Sequence, residues 1–263
     1  MPAREPVRAA AAARREPVAL AALVVALAAL SALVAAGAPT RLDQFAVDHL
    51  MPWLRPSAHA PDLIVGLYRP FALPSPNWTK VLDLWTYPCS VLISGLVVAY
   101  AAVRLWRPYG PLVALAPAAA WVVGNGLEVL GKHTITRPAL YRQVGPVRVH
   151  VAAFDDSFPS GHMMRGLVVA FTVALLWPRA TRAVAAWVLL VAVALVVAGD
   201  HTPTDVGGGL LVGLVLLTCL AVASPTLAVP AAGRGPSAAG PRPLAPPARP
   251  SGAALRRGGP RRR

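Results

Sequence analysis

The chain has 263 residues, 56% of them apolar, with a mean hydropathy of +0.56. Charged residues make up 14%, against roughly 25% in an ordinary globular chain, yet 25 basic and 11 acidic side chains leave a net charge of +14. These figures exclude a disordered polymer, a disulfide scaffold and a standard water-soluble enzyme, and they leave a membrane-embedded protein with basic ends.

Residues 1–17 form an Arg-rich head with Arg4, Arg8, Arg14 and Arg15. Six apolar stretches follow, each near the roughly 20 residues that cross a hydrocarbon core. They run from Val18 to Gly37, Leu84 to Val103, Gly110 to Leu130, Gly161 to Trp177, Ala183 to Ala198 and Val206 to Ala223. The first resembles a signal peptide in its flanks, but its apolar run is longer than the usual 7 to 15 or so residues, which favours a retained helix. Cys89 and Cys219 fall inside apolar stretches and read as small buried hydrophobes.

Between the first two stretches, Leu42, Phe45, Ala46, His49, Leu50, Trp53 and Leu54 recur at helical spacing, broken by Pro52. This predicts an interrupted amphipathic segment at the membrane surface. Trp53, Tyr68, Trp78, Trp85 and Tyr87 read as interfacial anchors. Residues 226–263 are mostly Ala, Pro, Gly and Arg with no acid, a composition that buries no core and reads as a disordered basic tail touching anionic lipid. No aromatic residue interleaves with its arginines, which argues against nucleic acid as a partner.

Lys and Arg concentrate in cytoplasmic loops. With the N-terminus inside, the head, the Arg104/Arg107 loop, the Arg179/Arg182 loop and the tail hold 16 cations and only Glu5 and Glu16 as acids. This predicts a six-helix transmembrane bundle, all-α, spanning residues 18–225, in a cell membrane with both ends cytoplasmic. Three polar clusters then share the outer side: Gly131 to Pro138, Phe158 to His162 and Gly199 to Asp205.

Each cluster has a chemistry. Lys132 and Arg137 are fixed cations at a helix lip, suited to an anion. Ser160 and Gly161 open a helix whose free N–H groups form a phosphate seat. His162 titrates near neutrality and can serve as general acid. Asp205 follows His201 by four residues, a spacing that lets the carboxylate hold one ring nitrogen and leave the other as nucleophile. Two histidines, one carboxylate and two cations suggest phosphoryl transfer without a metal or other cofactor.

Arg165 lies three residues past His162 inside the fourth stretch, where a charge is a functional hypothesis by default. The plainer readings are that it snorkels outward or pairs with Glu128 or Asp200. Glu128 precedes Lys132 by one turn and reads as its neutralising partner. Asp155 and Asp156 precede the Pro-Ser-Gly-His turn as possible caps. His49, His59 and His150 read as solvated loop histidines without fixed partners, and His133 points away from Lys132.

Pro159-Ser160-Gly161-His162, with His201, three residues and then Asp205, resembles the type 2 phosphatidic acid phosphatase family over about residues 84–223. That resemblance implies a six-helix, metal-independent membrane phosphatase. Lys132 would bind phosphate, His162 protonate the leaving group, His201 attack, and Asp205 orient it. Ser160 and Gly161 would contact phosphate oxygens. Two departures stand out. Arg137-Pro138 comes two residues early, and Ala194-Leu195 stands where the family has Ser-Arg. Arg165 is the candidate replacement for that absent clamp. The expected activity is extracytoplasmic hydrolysis of a lipid phosphate or pyrophosphate. A catalytically impaired, lipid-binding or scaffold member is the alternative, and a small transporter, unsupported by any inverted repeat, is a third class.

Overall fold

The computed structural model describes residues 4–51, 54 and 79–223. The expectations for Trp53, His59, Tyr68, Trp78 and the basic tail lie outside the described residues. The described chain is mostly helical, with seven α-helices: α1 (Arg4–Ala35), α2 (Thr40–His49), α3 (Thr79–Thr86), α4 (Val91–Thr134), α5 (Gly161–Leu176), α6 (Thr181–Val197) and α7 (Pro203–Ala223). One short antiparallel hairpin, β1 (Tyr141–Val144) and β2 (Val147–His150), is added to the expected helices. It pairs Tyr141 with His150 and Val144 with Val147 around Gly145, whose φ of 58° is in the left-handed region.

Among the described residues, four helices are long and apolar enough to cross a membrane: Glu16–Ala35, Val91–Thr134, Pro178–Val197 and Pro203–Ala223, with Gly161–Leu176 a shorter apolar helix. The predicted second and third stretches lie in the run Val91–Thr134, which is two helical arms joined at a kink where the backbone leaves helical geometry, at Gly110 (φ 79°, ψ 173°) between Pro108 and Pro111. Only glycine adopts that φ without strain. The two arms meet beyond the break. Trp121 Nε1 donates to Ser94 Oγ at 2.9 Å, its indole lies on Gly95, and Ala101, Leu105 and Ala114 form one buried cluster. The second stretch begins at Val91 rather than Leu84, because Pro88 ends the preceding helix in a 3-10 turn and Ser90 starts a new one by accepting from Ile93 N.

The outer surface of the helices is apolar. Val25, Leu92, Leu96, Val103, Leu112, Val122 and Leu189 are all exposed, as a lipid-facing belt requires. α5 is the central helix, with ten of its 16 residues buried. Its Met163, Ala170 and neighbours join Val188, Val191 and Leu195 of α6, while Met164 and Val168 join Val98, Ala120, Val212 and Leu216 of α4 and α7. Cys89 is buried in the first of these clusters; Cys219 is exposed on α7, against expectation.

α2 covers one end of the bundle with one face, and most of the apolar residues expected at the membrane surface lie on the other. Asp43, Ala46 and Val47 are inside, while Leu42, Phe45 and Leu50 stay exposed. Ala46, Val47 and Met51 pack against Leu140, Val151 and Phe154 beside the hairpin. The Gln44 amide exchanges two hydrogen bonds with the backbone of Tyr141, and Arg142 donates to the Val47 and Met51 carbonyls. The polar Asp43 faces inward because the groups that need it lie beneath.

Candidate active site

The Pro159-Ser160-Gly161-His162 turn starts α5 as its sequence requires. Ser160 is the N-cap, its Oγ accepting from Met163 N at 3.3 Å. Ser160 N donates to the Asp205 carbonyl at 2.9 Å, which ties this turn to the first turn of α7. Two of the three consecutive glycines of α7 permit that contact. A Cβ on Gly209 would stand 2.2 Å from the Ser160 carbonyl oxygen, and one on Gly208 would meet the Phe158 ring at 2.5 Å. Close approach of the two segments brings the rings of His162 and His201 to a centroid separation of 5.8 Å, tilted by 56°.

Asp205 is fully buried and heavily engaged. Its Oδ2 accepts from Ser157 Oγ at 2.7 Å and from Thr202 N at 2.9 Å, and its Oδ1 accepts from Arg137 Nη1 at 2.9 Å. His201 Nδ1 lies 3.8 Å from Oδ2, inside ion-pair reach but beyond a hydrogen bond, and it has no other partner among the described residues. The two groups face each other as the i, i+4 spacing predicts.

Arg137 is buried among its partners. Its side chain is 3% exposed, with Nη1 also donating to Thr202 Oγ1 at 3.0 Å and Nη2 donating to Asp43. Asp43 in turn accepts from Thr204 N at 3.2 Å and Thr204 Oγ1 at 2.7 Å, so a carboxylate on α2 caps the start of α7. Burial pushes the Asp43 carboxyl above its ordinary range against the pull of Thr204 and Arg137. Asp43 and Ser157 belong to no motif, and Thr202 and Thr204 lie in the third polar cluster without a role that its sequence assigns. Only the helical period of α2, which sets Asp43 beside Ala46 and Val47, hinted that it turned inward.

The second group of charges lies on the α4 side. Arg165, 3% exposed, donates from Nε to the Cys89 carbonyl at 2.7 Å and from Nη1 to Asn125 Oδ1 at 2.9 Å and Glu128 Oε2 at 2.5 Å. Lys132 Nζ donates to Glu128 Oε1 at 2.7 Å. Of the plainer readings of Arg165, pairing with Glu128 is the one found. The Glu128 carboxylate rests against Gly161, so both cations and Ser160-Gly161 meet at one place. Leu195, where the family pattern has Arg, is fully buried among Cys89, Met163 and Val191, in the same layer as the Cys89 carbonyl that Arg165 reaches.

The remaining histidines stand apart. His150 Nε2 pairs with Asp155 at 2.8 Å, which corrects its reading as unpartnered and takes Asp155 away from the helix start. His49 bonds the Phe45 carbonyl and stacks on that ring, so it too has a fixed partner. His133 bonds the Val129 carbonyl. Among the described residues, no three His, Cys, Asp or Glu side chains converge to hold a metal ion.

The apolar helices define a membrane-type helical fold, and paired imidazoles, a buried carboxylate and cations gather at one helix start within it. The family model of the PAP2 superfamily matches residues 63–227, more than half of the chain, and the chain belongs to that superfamily. The fold is similar to that of the transmembrane PAP2 type phosphatidylglycerolphosphate phosphatase from Bacillus subtilis. The TM-score is 0.51 at 19% identity, over 76% of this chain and 93% of that one. No curated protein matches the chain.

Proposed function

We propose that this protein is an integral membrane phosphatase that hydrolyses a lipid phosphate or pyrophosphate through a phosphohistidine. His201 attacks phosphorus in line, forming an N–P bond as the P–O bond to the leaving group breaks. His162 gives its proton to the departing alkoxide or phosphate, then takes one from water. That water cleaves the N–P bond, releasing inorganic phosphate and free His201. Lys132, Arg165 and the N–H groups at Gly161 and His162 stabilise the transferring group. Asp205 orients His201. Arg137, held between Asp43 and Asp205, acts here as a positioning residue rather than a phosphate ligand.

The observation that carries this reading is the 5.8 Å approach of His162 and His201 beside Asp205. In the same reading the break at Gly110 makes α4 two crossings, giving six with both ends cytoplasmic and the site at the outer headgroup level. Phosphatidic acid, polyprenyl pyrophosphate and lipid-linked sugar phosphates are the substrate classes. The test is phosphate release from such a panel by the wild type, His201→Ala and His162→Ala. Both variants lose release, and 32P-phosphate is trapped on the wild type and absent from His201→Ala. Equal release by all three defeats the mechanism. A second reading, a lipid-binding member without turnover, is favoured by Leu195 and by the engagement of Arg137; substrate binding without release would select it.

A further inference from the structure

Glu128 is a half-buried acid that the two-histidine chemistry does not use. Its side chain is 12% exposed, and each of its oxygens takes one cation, Lys132 at 2.7 Å and Arg165 at 2.5 Å. The carboxylate also occupies the space beside the first residue of α5. A Cβ on Gly161 would fall 1.9 to 2.1 Å from all three carboxylate atoms. Glycine at that position therefore leaves room for an anion, and the anion standing there belongs to the protein. A carboxylate between two cations at a helix start has the partners that a phosphoryl group seeks.

Resting on the phosphatase reading above, we propose that Glu128 is a resident counter-anion. It fills the phosphoryl seat in the empty enzyme, and substrate binds by displacing its carboxylate from Lys132 and Arg165. The exchange sets specificity. A phosphate monoester or terminal diphosphate brings up to two charges and three free oxygens, and it outcompetes a single carboxylate. A phosphodiester brings one charge and two free oxygens, and it does not. A lipid-facing site is surrounded by phosphodiester headgroups that a bare pair of cations would bind. Glu128 keeps them out and admits the terminal phosphoryl group.

The test uses the full chain in detergent, with inorganic phosphate and dimethyl phosphate as probes and ligand-dependent thermal stabilisation as the readout. The wild type binds phosphate and ignores dimethyl phosphate at the same concentration. Glu128→Gln removes the competing charge but keeps the shape. It binds phosphate about tenfold more tightly, the effect of one charge-assisted contact, and gains binding of dimethyl phosphate. Unchanged or weaker phosphate binding in Glu128→Gln overturns the proposal, because it makes Glu128 an organiser of the two cations. Unchanged dimethyl phosphate binding overturns it as well. Should Glu128→Gln not fold, Glu128→Asp keeps the charge and draws the carboxylate back by one methylene. It tightens phosphate several-fold, and weakening there is equally fatal. Tighter phosphate in Glu128→Gln without any turnover by the wild type supports the counter-anion and removes the hydrolase reading. Turnover with weakened phosphate binding does the reverse.

Discussion

Replacing Arg137 by Gln separates a positioning role from a phosphate-binding one. The change leaves Asp43 and Asp205, both fully buried, without the cation between them. Their hydrogen bonds to Thr204, Ser157 and Thr202 survive, so the loss is charge compensation. Removing one member of a buried ion pair costs about 3–5 kcal/mol. Asp43→Asn alone costs less, about 1–2 kcal/mol, because Arg137 keeps Asp205. In the double variant one orphaned carboxylate has become an amide, so the combined loss falls short of additivity by about 1–3 kcal/mol. Thermal unfolding of the four proteins in detergent measures the coupling. Steady-state phosphate release on a lipid phosphate measures the role: Arg137→Gln lowers kcat, through Asp205 and His201, and leaves KM in place. Additive stability losses refute the charge bridge. A raised KM with kcat intact makes Arg137 a substrate ligand and refutes the positioning role.

Arg165→Leu loses about 10- to 100-fold in kcat/KM, the value of one charge-assisted contact to the transferring group. Unchanged phosphate release per folded molecule discards the clamp. Gly209→Ala forces a methyl against the Ser160 carbonyl at 2.2 Å and destabilises the protein by about 1–3 kcal/mol. It also lowers kcat by moving His162 from His201, and a wild-type melting temperature with wild-type turnover contradicts the close packing described for the two motifs.

The sequence by itself determined the apolar helices and the residue types that gather at the candidate site. Hydropathy is a property of each stretch, and the Pro-Ser-Gly-His turn and the His201–Asp205 spacing are local, so neither needed a fold to be read. Ser160 is the cap of α5 because a serine before a glycine-led apolar run satisfies the first free N–H groups wherever that run lies. The break between the second and third stretches is local too, since Gly110, between Pro108 and Pro111, takes a backbone conformation that no helix continues through.

Tertiary structure decided which charges are available. Arg137 and Arg165 look alike in sequence, each a cation near a motif, yet Arg137 is committed to Asp43, which lies 94 residues away, and Arg165 to Glu128, 37 residues away. A buried charge must find its counter-charge wherever the fold places one, and no local pattern records that choice. The glycines of α7 carry the same lesson. Their freedom from a Cβ is plain in the sequence, but the Phe158 ring and the Ser160 carbonyl that fill the space come from another segment.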